Sequence, residues 1–364
     1  MKITTLISII FLGYYLSISA QNISTSENQL EYKLDSALIK KFKPNEPGCA
    51  VLVSNKGQII YKKAFGLANL EMNVPIKPDM VFAIGSITKQ FTAIAIMQLV
   101  EKGKIRLQDS INKYIPDYPT HGYYISVEHL LTHTSGIKDY MTLEGFDSIV
   151  KRTEYNNPLD FINVFKKENM DFAPGTNWEY SNSGYFLLGY IIEKVSGITY
   201  QQYIEENILR PTGMANTYYN NNKRIIKNRV SGYEKDENGF TNPLDLNSTV
   251  YYSAGSLLST VEDLFIYYQA LNSYKLVSKE SLEKTRTRYK LQDGNDVEYG
   301  YGVQVADWGV PVIYHMGGVS GFFTIQIYYP EKDLHFVIYT NCSSYFNDRS
   351  EFALLSLSIL ENCE

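Results

Sequence analysis

Hydrophobic and polar residues alternate near both ends of the chain, which is typical of β-strands. The segment CAVLVSNKGQIIYKKAFG (49–66) alternates and turns at Asn55-Lys56-Gly57, so it predicts a β-hairpin. From Tyr299 onward, β-branched and aromatic runs are separated by Gly, Pro and charged turns, which predicts three more strands in GYGVQVADWGVPVIYHMGG, GFFTIQIYYP and LHFVIYTNC. Tight turns favour antiparallel pairing, and we expect the first and last segments to share one sheet.

Helical spacing dominates the middle of the chain. One helix is predicted to begin at Ser126 in SVEHLLTH, and another runs through SGYFLLGYIIEKVSG until Gly197 ends it. In STVEDLFIYYQAL, Ser259 and Glu262 predict a capping box ahead of a further helix. The whole pattern predicts an α+β fold, an antiparallel sheet flanked by helices with a helical insertion and a cleft between the two parts.

The N-terminus has the pattern of an export signal. Lys2 precedes an apolar run from Ile3 to Leu16, and small residues follow up to Ala20. We therefore expect removal of residues 1–20 and an exported protein, either periplasmic or secreted. The run is shorter than the ~20 residues that span a bilayer, so no stable membrane span is expected, and an uncleaved anchor is the alternative.

The remaining chain is expected to form one domain over residues 21–364. Its sheet part would comprise about 30–104 and 250–362, and its mainly helical part about 105–249. With 364 residues, 44% of them hydrophobic and 20% charged, the composition is that of a globular protein. A net charge of −5 without a basic stripe argues against nucleic acid as a partner.

Three cysteines are an odd number for an exported protein, so they cannot form a full disulfide framework. Cys49 and Cys342 lie in strand-like segments, and Cys363 lies at the C-terminus. The first two are either small buried hydrophobic residues or, if their strands are adjacent, a disulfide pair. The sequence leaves both possibilities open.

Ser86 and Lys89 are the first candidates for chemistry. They lie in AIGSITKQFTAIAIMQLVEKG, where Gly85 precedes the longest apolar helical run, and residues three apart on a helix share a face. Serine is also a favoured helix N-cap, which is the ordinary alternative. The motif alone carries little information, because Ser-x-x-Lys also begins at Ser110, Ser135, Ser148 and Ser281.

Two later segments strengthen the functional interpretation. In APGTNWEYSNSGY, an extended backbone would turn Tyr180 and Asn182 to one side and Ser181 to the other. In YHMGGVSGFF, the same two-residue period places His315 and Gly317 on one face. Gly317 and Gly318 would let a ligand approach the backbone closely.

Three short segments, SITK, YSN and HMG, follow one another in the order of three known motifs: Ser-x-x-Lys, Tyr-x-Asn, and Lys-Thr-Gly or His-x-Gly. In this the chain resembles the serine β-lactamase and penicillin-binding-protein superfamily, particularly its class C β-lactamase-related branch. The resemblance spans about residues 45–345, and LLTHTSG and HMGGVSGF extend it. It implies the β-lactamase/transpeptidase-like fold. It also implies a serine hydrolase that needs no cofactor.

The resemblance assigns a role to each motif residue. Ser86 would attack a carbonyl and form an acyl-enzyme, while Lys89 and Tyr180 relay protons. Asn182 would bind the substrate, and the backbone N–H groups of Ser86 and Gly318, beside Gly317, would form the oxyanion hole. His315 would supply a proton or polarise Tyr180, as a pH-dependent cation.

The proposed base needs a pKa well below the usual value for its residue type. The reference pKa values of tyrosine and lysine lie near 10 and 10.4. The pKa of either residue must therefore fall by about 3 before that residue can act as a base near neutral pH. We expect a Lys89 ammonium to lower the pKa of Tyr180 and burial to lower that of Lys89.

The substrate class is less defined than the chemistry. Met316 stands where β-lactamases of this branch carry a threonine, and it has no hydroxyl for the carboxylate that penicillins present. An amide, an ester or a D-amino-acid peptide, cleaved as by a carboxypeptidase or esterase, therefore fits at least as well as a β-lactam. The alternative function is a non-catalytic, penicillin-binding-like binder of cell-wall peptides. The oligomeric state stays open.

A metal site is not expected. His129 and His133 have the spacing of a zinc pair, but the sequence has no His-Glu-x-x-His motif.

Overall fold

The computed structural model describes residues 29–146, 155, 157–221, 223–244 and 247–362. The predicted signal segment, residues 1–20, and Cys363 lie outside this range. None of the helices in the described ranges is long and apolar enough to cross a membrane.

A six-stranded antiparallel sheet forms the centre of the protein, in the order β12-β13-β14-β15-β1-β2. Its strands are β1 (Cys49–Asn55), β2 (Gln58–Phe65), β12 (Gln304–Asp307), β13 (Pro311–Val319), β14 (Phe322–Tyr329) and β15 (Leu334–Thr340). The predicted hairpin is confirmed, with Lys56 and Gly57 in its turn at positive φ. The sharing of one sheet by the two ends of the chain is also confirmed, because β1 pairs with β15.

Both faces of this sheet are covered, which explains why β14 and β15 are buried along their whole length. One face packs on helix α1 (29–41) and on the C-terminal helix, which spans Arg349–Asn362. The other face packs on the larger core, which contains the helix α2 (Thr88–Glu101). Burial on both faces requires the continuous apolar runs that the sequence carries there.

The remaining helices surround that larger core. They are α3 (Val127–Leu131), α4 (Pro158–Phe165), α5 (Asn182–Ser196), α6 (Tyr200–Ile204, continued by Glu205–Leu209 and Arg210–Thr212), α7 (Tyr252–Gly255), α8 (Val261–Asn272) and α9 (Lys279–Thr285). Short strands connect them: β3 (Leu67–Asn69), β4 (Val74–Pro75), β5 (Phe82–Ala83), β6 (Tyr218–Tyr219), β7 (Glu234–Asp236), β8 (Gly239–Thr241), β9 (Leu257–Ser259), β10 (Tyr289–Lys290) and β11 (Asp296–Val297). The α+β architecture predicted from the sequence is confirmed.

Helix termini agree with the sequence in two cases and differ in one. Ser126 caps α3 through the N–H of His129, and Gly197 ends α5 with φ at 79°. The capping box predicted from Ser259 and Glu262 is wrong, because Thr260 is the N-cap of α8. Ser259 is instead the last residue of β9, and its hydroxyl is hydrogen-bonded to Thr217.

Cys49 and Cys342 are both buried and both free. Of the two possibilities that the sequence left open, the structure therefore has the small buried side chains.

Candidate active site

Ser86 lies in a single 3₁₀ turn, Gly85–Ile87, which leads directly into α2. Neither this turn nor α2 has a side-chain cap, so the Ser86 hydroxyl is not occupied as a helix N-cap. Gly85 has φ at 50°, and a Cβ there would lie 2.9 Å from the backbone nitrogen of Gly318. The turn therefore packs closely on β13.

Lys89 is fully buried one turn beyond Ser86. Its Nζ donates to the Oγ of Ser86 at 3.0 Å, to the Oδ1 of Asn182 at 2.8 Å and to the carbonyl oxygen of Ala254 at 2.8 Å. All three acceptors are neutral, so no contacting anion offsets the loss of solvation. Burial consequently lowers the pKa of Lys89 to about 7, against the opposing effect of the Asp139 carboxylate.

Tyr180 stands over this lysine at the edge of the cleft. The Nζ of Lys89 lies 4.8 Å from the centre of the Tyr180 ring, and the Tyr180 side chain is hydrogen-bonded to Ser86. Burial raises the pKa of Tyr180, and the hydrogen bond with Ser86 opposes that shift only in part. The expected decrease of the Tyr180 pKa is therefore wrong, because loss of solvation outweighs the hydrogen bond with Ser86 and the Asp139 carboxylate raises the pKa further.

Ser181 separates Tyr180 from Asn182 as the two-residue period predicted. Its backbone is extended, and its side chain caps α5 by accepting from the N–H of Gly184. The Ser181 hydroxyl also donates to the carbonyl of Ile137, away from the cleft. Tyr180 and Asn182 both line the cleft.

Asp139 fixes the orientation of the Asn182 amide. The Nδ2 of Asn182 donates to the Oδ2 of Asp139 at 2.9 Å and contacts the Sδ of Met141 at 3.2 Å. This leaves Oδ1 directed at Lys89. Burial raises the pKa of Asp139, while its hydrogen bonds and Lys89 oppose the shift. Sequence reasoning missed Asp139, because a single aspartate in a turn carries no periodic or motif signal.

His315 is buried on β13 with both ring nitrogens engaged. Its Nε2 accepts from the hydroxyl of Tyr299 at 2.9 Å, and its Nδ1 lies 2.6 Å from the carbonyl oxygen of Met316. Burial, and then the charge of Lys89, lower the pKa of His315 to about 3. The expected pH-dependent cation is therefore wrong, because this imidazole stays neutral. Its ring centre is 6.3 Å from that of Tyr180.

The two glycines after Met316 differ in what surrounds them. A Cβ at Gly317 would lie 2.0 Å from the carbonyl oxygen of Ile84 and 2.5 Å from the Oγ1 of Thr324, so only glycine fits. A Cβ at Gly318 would meet nothing within 4 Å. Gly318 is exposed and lines the cleft, whereas Gly317 brings β13 against the Ser86 turn.

These elements enclose a cleft of about 400 Å³. Of the residues predicted from the sequence, Ser86, Tyr180, Asn182, His315 and Gly318 line it, while Lys89 and Gly317 lie behind its wall. The other lining residues are Met141, Trp178, Tyr251, Ala254, Gly255, Gln304, Met316 and Val319. The cleft therefore places a hydroxyl and a phenol around one space that a small acyl group can enter, with a buried amine behind its wall.

His129 and His133 do not face each other as metal ligands. The Nδ1 of His129 accepts from the N–H of Ser126, and the Nδ1 of His133 accepts from the N–H of Ser181. Within the described ranges, no group of three or more His, Cys, Asp or Glu side chains is placed to hold a metal ion.

Comparison with known proteins agrees with this geometry. The Beta-lactamase family model matches residues 36–357. Penicillin-binding protein 4* of Bacillus subtilis (strain 168) is 33% identical over 298 residues, which cover 77% of this chain and 64% of that protein. The chain thus spans less than two thirds of the length of this relative.

Solved structures show the same fold. The octameric penicillin-binding protein homologue from Pyrococcus abyssi is 34% identical, with a TM-score of 0.75, over 86% of this chain and 74% of that one. A D-stereospecific amidohydrolase from Streptomyces sp. is 26% identical, with a TM-score of 0.72, over 88% and 94% of the two chains. With the family match across nearly all of its described length, the chain belongs to the beta-lactamase family.

Proposed function

We propose that the protein is an exported serine hydrolase that forms an acyl-enzyme on Ser86 and cleaves an amide, an ester or a D-amino-acid peptide. The observation that carries the proposal is the contact between Lys89 and Ser86. A fully buried amine with a pKa of about 7 lies 3.0 Å from a hydroxyl that caps no helix. Near neutral pH, a large fraction of this amine is unprotonated and can accept the Ser86 proton.

The two neighbours of Ser86 have different roles in the proposed reaction. As Ser86 Oγ forms its bond to the substrate carbonyl carbon, its proton passes to Lys89. Tyr180 keeps its own proton, because its pKa is raised, and it donates that proton to the leaving group as the old bond breaks. Lys89 then returns a proton to Tyr180, and water releases the acid by the reverse route.

The developing oxyanion would be stabilised by the backbone N–H groups of Ser86 and Gly318. The close packing of Gly85 on Gly318 brings these two backbone segments together. Loss of one such donor costs about 3 kcal/mol of transition-state stabilisation in comparable sites. His315, being neutral, would act by holding the middle of β13 beside Tyr180 through its hydrogen bond with Tyr299.

The substrate class is supported by two observations. The Streptomyces relative is named a D-stereospecific amidohydrolase, which favours D-amino-acid amides or peptides. Met316 lines the cleft without offering a hydroxyl, which disfavours an efficient β-lactamase. Export of the mature chain, residues 21–364, follows from the N-terminal sequence pattern.

Intact-protein mass spectrometry tests the proposal. Wild type and Ser86→Ala are incubated with a fluorophosphonate and, separately, with a penicillin, and turnover of D-alanine p-nitroanilide is followed in parallel. A Ser86-dependent fluorophosphonate adduct is the expected result, and a penicillin adduct as well would favour the penicillin-recognising branch. Tight binding of cell-wall peptide with no adduct and no turnover would overturn the proposal in favour of the non-catalytic binder.

A further inference from the structure

A second cavity, of about 470 Å³, opens beside the catalytic cleft. The two spaces share Tyr251, Gly255 and Val319 as lining residues, so they adjoin. The second cavity begins where β13 ends, beyond Gly318, and Ser320 lines it. Its polar lining sets it apart from a simple packing defect.

Arg229 is the cationic side chain of this lining. Its side chain makes no hydrogen bond or ion pair with another residue in the part of the chain that the structure describes. Its backbone is fixed, because Arg229 bridges to Val81 and the neighbouring Val230 donates to the carbonyl of Val81. Arg229 is exposed to solvent as a residue, and the desolvation of its guanidinium lowers its pKa while leaving it charged at neutral pH. A guanidinium with its donors unused in a cavity is suited to bind a carboxylate.

Asn220 adds a second unsatisfied group to the same cavity. Its Oδ1 is buried and has no hydrogen-bond partner among the described residues. A buried acceptor without a partner costs free energy that a ligand N–H can recover. Ser320, another lining residue, donates to the carboxylate of Glu234 at 3.4 Å, and Glu234 makes no ion pair with Arg229 within the described residues.

The position of the cavity identifies which part of the substrate would enter it. In the proposed reaction Tyr180 protonates the leaving group, so the leaving group lies on the side of Ser86 where Tyr180 and His315 stand. The acyl portion must then extend from Ser86 in the other direction, past Gly318 and Val319. That direction leads into the second cavity.

We infer that the second cavity is an acyl-side specificity site, in which Arg229 binds a carboxylate carried by the acyl portion of the substrate and Asn220 accepts from an N–H of the same portion. The inference rests on the proposed function. Arg229 would thus bind an anion on the acyl side, whereas Met316, next to His315, lies toward the leaving group. The predicted substrates are therefore D-amino-acid amides or peptides with an acidic acyl side.

A matched pair of substrates tests this site. N-succinyl-D-alanine p-nitroanilide and N-butanoyl-D-alanine p-nitroanilide have acyl groups of equal length that differ in one carboxylate. The ratio of their kcat/KM values is measured for wild type, Arg229→Met and Arg229→Lys, with the exposed Arg106→Met as the matched control. Wild type and Arg106→Met should prefer the succinyl substrate. Arg229→Met should reduce that ratio roughly 10- to 100-fold, and Arg229→Lys should restore part of it.

A binding experiment tests this inference independently of catalysis, so that its failure can be distinguished from failure of the proposed function. The non-chromogenic N-succinyl- and N-butanoyl-D-alanine amides are titrated calorimetrically into Ser86→Ala with and without Arg229→Met. A preference for the succinyl amide that disappears with Arg229→Met supports the site, whether or not the p-nitroanilides are hydrolysed. Equal binding of the two amides, or a preference that survives Arg229→Met, overturns it, even for an enzyme that hydrolyses both substrates.

Discussion

The side-chain oxygen of Asn182 lies 2.8 Å from the Nζ of Lys89 and cannot turn away, because the amide nitrogen of the same side chain donates to Asp139. A half-buried carboxylate thus supports the buried amine through one intervening amide. This arrangement joins three parts of the chain that are far apart in sequence. It also lets the contribution of each member be tested separately.

Asp139→Asn should lower the pKa of Lys89 further, because the Asp139 carboxylate is the group that raises it. The midpoint of the pH dependence of acylation should move to lower pH. The rate at its plateau should fall about tenfold, since the Asn182 amide loses a charged acceptor. Asp171→Asn, which removes only the exposed ion pair with Lys138, is the control and should leave the midpoint in place. If the pH midpoint of acylation is unchanged in Asp139→Asn, Asp139 does not raise the pKa of Lys89.

Lys89→Met should remove the part of the pH dependence of stability that comes from Lys89. The pKa of Lys89 is about 7 in the folded protein and about 10.4 in the unfolded chain, so the unfolded state binds more protons between these values. Stability therefore increases as pH rises from 7 toward 10. It is lowest below pH 7, where both states carry the charge.

Urea unfolding of both proteins at pH 7 and pH 9 measures this effect. Between pH 7 and pH 9, the free energy of unfolding of the wild type should rise by about 2 kcal/mol more than that of Lys89→Met. This value follows from the linkage slope of ~1.4 kcal/mol per pH unit for one proton. The exposed Lys113→Met should behave as the wild type does. An equal pH dependence in wild type and Lys89→Met would mean that Lys89 has an ordinary pKa.

The two neighbouring glycines of β13 should respond differently to the same substitution. Gly317→Ala places a methyl group 2.0 Å from the Ile84 carbonyl oxygen, so it should cost more than about 3 kcal/mol of stability or prevent folding. Gly318→Ala meets nothing within 4 Å and should cost less than about 1 kcal/mol. Urea unfolding compares the two, and similar losses would contradict the packing described here.

His315→Gln should reduce the acylation rate without moving its midpoint. An ordinary histidine pKa of about 6.5 is close to the value for Lys89, so a midpoint near 7 alone does not identify the base. In the structure His315 has a pKa of about 3 and remains neutral throughout that range. A loss of about tenfold with an unchanged midpoint is expected. A midpoint displaced by more than one pH unit would assign the titration to His315.

Much of the fold could be predicted because local patterns and tertiary structure agree. The Lys56-Gly57 turn, the uninterrupted apolar strands and the helix ended by Gly197 each have a local cause. The predicted cap of α8 is wrong, because Ser259 pairs with Phe82 and belongs to β9, which no local pattern reveals. Thr260 is then the first residue free to cap.

The site could be predicted as a set of motifs and only partly as chemistry. Spacing indicated which side chains share a face, and the cleft brings Ser86, Tyr180 and Asn182 together. Asp139 is 43 residues from Asn182, and nothing near it in the sequence indicates that contact. The pKa of Tyr180 was expected to fall because the charge of Lys89 can be inferred from the sequence, whereas the extent of burial is a tertiary property.

The most direct test of the central claim, that Lys89 is the base that activates Ser86, is the rate of fluorophosphonate labelling of Ser86 as a function of pH. The labelled residue is identified by peptide mass spectrometry, and Lys89→Met and Ser86→Ala serve as controls. We predict a rate that rises with pH to a plateau with a midpoint near 7, falls at least about a thousandfold in Lys89→Met and vanishes in Ser86→Ala. A midpoint near 10, or undiminished labelling of Lys89→Met, would contradict the account.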